Sequence, residues 1–152
     1  AFLVLEQREH AMSRGRKIYA ELGPVVSGRA RRPRGELDAE IAALLKQAAL
    51  PNGKLLTLSG ASGAHAATAS EKIALDANPA IAARGFSTLT GHMKEAQFPF
   101  AVALAALAVD RKAAYPVFDA AAEMPFEGVP GAALATAIGY HQFEGMALIN
   151  AA

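Results

Sequence analysis

From residue 98 to residue 109 the chain reads FPFAVALAALAV, without one polar side chain. A helix that is apolar on every side must be buried all round or lie in a bilayer, and about a dozen residues is too short to cross one. The segment is therefore expected to be a core helix at the centre of the fold. Pro99 is tolerable in its first turn, where the missing N–H has no intrahelical partner in any case. Each Leu or Phe fully buried there contributes roughly 1.5 to 3 kcal/mol.

Strand-like and helical stretches alternate around it. Residues 2–6, FLVLE, read as a strand, residues 7–15 as a short helix closed by Gly15, and residues 17–28, KIYAELGPVVSG, as a second strand. GRARRPRG, residues 28–35, is a basic loop that Pro33 keeps irregular. Residues 36–49 place Leu37, Ile41, Leu44, Leu45 and Ala48 on one helical face, with acidic residues in the first turn and Lys46 near the end. PNG is a turn, KLLTLSG a buried strand, and SEKIALDAN a helix ending before Pro79. RGFSTLTGH supplies a further short strand and loop, while ALATAIG and GMALINA form a closing hairpin around a loop from Gly139 to Gly145. Alternation of this kind predicts an α/β domain with both sheet faces covered by helices.

Length and charge narrow the function. A chain of 152 residues is about one domain, and 53% hydrophobic against 19% charged residues excludes disorder. A net charge of +1 demands neither nucleic acid nor an anionic membrane as partner. With no cysteine, this stretch supplies no disulfide, thiolate metal site or cysteine nucleophile. The N-terminus fits neither a signal peptide nor a membrane span, so a cytoplasmic protein is expected. The chain opens on AFLVLE without an initiator methionine, which reads as a piece of something longer.

Four histidines are available, and a lone histidine is more often structural than catalytic. His10 lies in a polar helix and is expected to be solvated. His65 sits in LSGASGAHAATASEK, a bend of small residues after an apolar strand; GASGA narrowly fails the GxSxG nucleophile elbow and both glycine-rich phosphate patterns. No HExxH or comparable spacing exists, so neither a metal nor a cofactor is expected. His92 closes the segment STLTGH just before the apolar helix, at the mouth of the core, where an imidazole suits donation to a developing oxyanion. His141 lies in the hairpin loop. Arg29, Arg31, Arg32 and Arg34 form a basic cluster suited to a solvated surface or to an acidic or phosphorylated partner.

LVLEQREHAMSRGRKIYAEL, TLTGHMKEA, AVALAALAVDRKAAYPVFD and ATAIGYHQFEGMALI together resemble the β-ketoacyl-ACP synthases, decarboxylating condensing enzymes of the thiolase superfamily, over nearly the whole chain. The resemblance implies a thiolase-like lobe, a mixed five-stranded sheet covered by helices on both faces. It assigns residues 1–28 to the last strands of the N-terminal half and 29–152 to the C-terminal half. Such enzymes take an acyl group from acyl carrier protein onto a cysteine, decarboxylate malonyl-carrier and join the two, in fatty acid or polyketide biosynthesis. Two histidines and a supporting lysine serve the malonyl thioester, and a glycine-rich loop of the last hairpin gates the acyl pocket.

Carried over residue by residue, His92 matches the second histidine, with Thr90 and Gly91 before it, while the lysine of KSxTGH is Ser87. In the first histidine motif the anchor DK matches Glu71 and Lys72, and counting back puts Gly63 at the histidine, with His65 two places later. Of the gating loop, Gly139 and Tyr140 fit, and His141 and Gln142 replace glycines. The expected catalytic residues are thus His92 and His65, and the pocket residues Thr90, Gly139, Tyr140 and His141. Because the cysteine belongs to the other half of the fold and the His, Lys and Gly motifs are altered, three readings stand. The first is a ketosynthase with unusual motifs, the second an inactive chain-length-factor-like partner of an active ketosynthase, and the third an α/β binding module with an unrelated ligand. Expected partners are acyl carrier protein, the N-terminal ketosynthase half with the cysteine, and a dimer mate, either a second copy or an active ketosynthase.

Overall fold

A computed structural model describes residues 2–31 and 36–152. Its elements run α1 (Arg8–Ser13), β1 (Glu21–Gly28), α2 (Glu36–Gln47), β2 (Leu55–Ser59), α3 (His65–Asp76), β3 (Ile81–Gly85), a single helical turn α4 (Ser87–Thr90), a 3-10 turn (Lys94–Ala96), α5 (Gln97–Arg111), β4 (Ala132–Ile138) and β5 (Glu144–Asn150). The strands form one five-stranded sheet in the order β1-β5-β4-β2-β3. β2 runs parallel to both β3 and β4, whereas β5 is antiparallel to β4 and β1. The mixed α/β sheet expected from the sequence is therefore present, and β1, from the segment 1–28, is hydrogen-bonded into it.

The pleat divides the core in two. In β2 and β4, Leu55 and Leu134 face α2 and α3, while Leu56, Leu58, Ala133 and Ala135 face α5. On α2 the buried residues Leu37, Ile41, Leu44 and Leu45 repeat at helical spacing. On α3 the same stripe is Ala67, Glu71, Ala74 and Leu75, so a carboxylate occupies a core-facing position. On α5 it is Gln97, Ala101, Ala105, Ala108 and Val109, alanines whose small size lets the helix lie close against the sheet.

Several expectations are corrected. α5 is not buried all round: the sheet covers one side, Phe98, Phe100, Val102 and Leu104 are only partly buried, and Leu107 is 40% exposed. FLVLE is not a strand, since no described strand pairs with it, and Phe2, Val4 and Leu5 stand in solvent. β3 is IAARG, which shares only Arg84 and Gly85 with RGFSTLTGH, and STLT is a helical turn. α3 starts at His65, ahead of SEKIALDAN, because the alanine-rich HAATA favours helix although it lacks an apolar stripe.

Both margins of the sheet are blunted. β1 carries Pro24 inside a register shift between Leu22 and Val25, as befits an outer strand. At β3 the Gly85 N–H donates to Glu123 Oε1 (2.9 Å), and the Gly85 carbonyl accepts from the Tyr115 hydroxyl (3.1 Å). Side chains of the segment after α5 thus occupy the outermost strand.

Candidate active site

Parallel strands β2, β3 and β4 end on the same side of the sheet, and the segments following them, residues 60–64, 86–93 and 139–143, gather there. Carboxyl ends of parallel strands are where α/β sheets bind ligands. A cleft of about 370 Å³ opens between the residues after β2, α3, α4 and the segment after α5; Ser59, Ser62, Gly63, Glu71, Ser87, His92 and Glu123 are among the residues that line it.

Two glycines set its backbone. A Cβ on Gly60 would lie 2.3 Å from the Thr136 carbonyl oxygen and 2.9 Å from Ala137 Cα, so only glycine lets the chain leave β2 this close to β4. Gly91 ends α4 with φ at +73°, in the left-handed region, and turns the chain so that His92 follows at the cleft. Lys94 N–H then donates to His92 Nδ1 (3.3 Å). With Nδ1 acting as acceptor, the neutral ring carries its proton on Nε2 and presents a donor.

Ser87, at the position that the resemblance assigns to lysine, donates to the Ala61 carbonyl (2.7 Å) and accepts from Gln97 Nε2 (2.6 Å). Gly63, at the position counted back for the first histidine, lines the cleft and has φ at +81°. Thus Gly63, Ser87 and His92 are brought to one cavity. His65 is not: as the first residue of α3 it is exposed and absent from the cleft lining. Thr90 is exposed, with its hydroxyl turned to the Phe86 and Gly91 carbonyls.

The hairpin loop forms a closed turn at the same end of the sheet but outside the cleft lining. Gly139 N–H donates to the Phe143 carbonyl (2.9 Å), and the Tyr140 and His141 rings meet edge to face with centroids 4.4 Å apart, both residues exposed. Arg29 braces this turn, donating to Gln142 Oε1 (2.7 Å) and lying over the Phe143 ring. Of the other arginines of the basic cluster, Arg31 is exposed, while Arg32 and Arg34 lie outside the described residues.

Glu71, matched in the sequence only to the acid of the DK anchor, has a larger place in the structure. It is 1% exposed, accepts from Ser59 Oγ (2.8 Å) and from Thr136 Oγ1, and reaches the cleft from below α3. Burial pushes its carboxyl above the ordinary value of 4.5, outweighing the two hydrogen bonds that favour the ionised form. Its one sequence signal was an acid on the apolar stripe of α3. Among the described residues no group of three His, Cys, Asp or Glu is placed to hold a metal, and no helix is long and apolar enough to cross a membrane.

No protein-family model and no curated protein matches the chain. Solved structures do. A ketosynthase of the bacillaene polyketide synthase from Bacillus amyloliquefaciens superposes with a TM-score of 0.70 at 12% identity, covering 95% of this chain and 32% of that one. A type II polyketide ketosynthase, solved in complex with its acyl-carrier protein and bound to the hexaketide, gives 0.71 at 20% identity over 97% of this chain and 42% of that one. The ishigamide ketosynthase/chain length factor gives 0.65 at 15% identity over 95% and 41%. The chain therefore spans from about a third to less than half of the length of these structures, and its fold is the ketosynthase-like, thiolase-type α/β lobe.

Proposed function

We propose that the chain is the C-terminal part of a β-ketoacyl-ACP synthase-like protein of polyketide or fatty acid biosynthesis, whose cleft receives the thioester end of a carrier-bound substrate. What supports this is one juxtaposition: Gly63, Ser87 and His92, the positions matched to first histidine, lysine and second histidine, line one cavity at the strand ends. In this reading His92 Nε2–H donates to the thioester carbonyl oxygen of a malonyl group. Loss of carbon dioxide leaves its electron pair on the adjoining carbon, delocalised onto that oxygen as an enolate. The carbon then attacks an acyl group held by the cysteine of the other half, expelling the thiolate. Acyl carrier protein and a ketosynthase mate are the partners this chemistry needs, and a cytoplasmic location goes with it.

Two observations favour a second reading, a partner that shapes the acyl pocket without condensing. Gly63 brings no imidazole to the cleft, and Ser87 brings no ammonium but is held by Gln97 and Ala61. One experiment separates the two. The chain is produced together with a cysteine-bearing ketosynthase half, and carbon dioxide release and condensation from malonyl-carrier are followed for wild type and His92→Ala. For a condensing enzyme, loss of one oxyanion donor is expected to lower turnover about a hundred- to a thousandfold. Equal rates for the two proteins, with stable association to an active ketosynthase, would establish the partner reading instead.

A further inference from the structure

Gln97 is a polar side chain at the head of the most apolar helix, and it is 4% exposed. Both ends of its amide are engaged. Oε1 accepts from Met93 N–H (3.1 Å), next to His92. Nε2 donates to Ser87 Oγ (2.6 Å) and approaches the Gly60 carbonyl (3.5 Å). The orientation of the amide is not interchangeable, because Met93 N–H can only donate and the Gly60 carbonyl can only accept. Ser87 completes the circuit by donating to the Ala61 carbonyl (2.7 Å). One side chain at the start of α5 therefore joins two segments that line the cleft, the turn after β2 and the segment after β3 that carries Ser87 and His92.

The His92 loop needs such a tie. Gly91 and Lys94 both have positive φ, at +73° and +50°, and Lys94 is not a glycine, so the loop is held in a sparsely populated conformation by its surroundings. The bond that orients the imidazole, Lys94 N–H to Nδ1, is made inside this loop. Releasing Met93 frees the segment that carries it.

We infer that Gln97 is the positioning residue of His92: its amide locks Met93 and, through Ser87, the turn after β2, and so keeps the Nε2–H of His92 aimed into the cleft where a lysine is absent. The inference rests on the reading of His92 as the donor of the site. It predicts that the two ends of the amide act separately, Oε1 on the histidine loop and Nε2 on the turn after β2.

The test uses the 152-residue chain, with amide hydrogen exchange and the nitrogen chemical shifts of the His92 ring as readouts. Gln97→Met, similar in length but without hydrogen bonds, is expected to speed exchange at Met93 about five- to tenfold and to turn the Nε2–H form of His92 into a mixture of tautomers. Gln97→Glu keeps the acceptor for Met93 and loses the donor to Gly60. It is expected to restore the Met93 protection and the His92 tautomer while the amides of Ala61 and Ala64 exchange faster. Ser87→Ala, which leaves Gln97 in place, is expected to behave as Gln97→Glu does, and decides the matter should the methionine variant not fold. An unchanged Met93 and His92 in folded Gln97→Met overturns the inference, as does equal loosening of Met93 in all three variants. Neither readout needs turnover, so a negative result here leaves the ketosynthase-like reading standing, and that reading fails separately through His92→Ala.

Discussion

Replacing Glu71 probes the floor of the cleft and the core at once. In the folded chain its carboxyl is held above 4.5 by burial, with Ser59 and Thr136 hydroxyls hydrogen-bonded to its two oxygens. The folded state thus binds a proton that the unfolded state releases. Linkage then fixes the sign: this group's contribution to stability is fully present below pH 4.5 and is lost as pH rises from there through the raised folded-state value. Glu71→Gln imitates the neutral acid and has no proton to lose. Its Nε2 can donate to Thr136 Oγ1, whose hydroxyl turns to the Leu58 carbonyl 3.5 Å away, while its Oε1 accepts from Ser59. In acid the variant is expected to match the wild type to within about 1 kcal/mol, and to gain on it steadily as pH rises. Glu71→Ala removes the partner of both hydroxyls at roughly 1 to 3 kcal/mol each. It is expected to lower Tm by about 5 to 15 °C in a chain of this size. Urea unfolding at several values between about pH 5 and pH 8 measures the difference between Gln variant and wild type. A difference that stays constant, or that moves in favour of the wild type, refutes the reasoning.

Two other substitutions test separate features. Gly60→Ala puts a methyl group 2.3 Å from the Thr136 carbonyl oxygen, forcing β2 and β4 apart at the cleft; a loss of about 1 to 3 kcal/mol is expected by denaturant unfolding, with shifted resonances for Thr136 and Ala137. Asp110→Asn breaks the 2.7 Å contact with Lys17 that ties the segment before β1 to α5; because the lysine end is largely exposed, the cost is expected to stay below about 1 kcal/mol and to vanish in high salt.

Much of the fold was legible because it rests on local periodicity. The stripe Leu37, Ile41, Leu44, Leu45 announces α2, and the two apolar runs around residues 139–143 announce the β4–β5 hairpin. What escaped reading depends on partners far along the chain. FLVLE has strand composition, yet a strand exists only beside another, and none of those described lies there. The run 98–109 is apolar throughout, but composition cannot say how many sides of a helix neighbours will cover. In the cleft, the motif positions Gly63, Ser87 and His92 were readable because resemblance maps positions. Glu71 and Gln97 were not, since the first depends on a threonine 65 residues away and the second on a carbonyl 37 residues away.

The way β3 is finished has a consequence for self-association. An outermost strand normally offers its peptide groups as a template on which a foreign strand can be laid. Here Glu123 and Tyr115 already occupy both peptide groups of Gly85, and Pro24 with its register shift interrupts the far margin. An incoming peptide would have to evict two anchored side chains on one margin or bridge a break on the other. Growth of the sheet from molecule to molecule is thereby hindered at Gly85 on one margin and at Pro24 on the other.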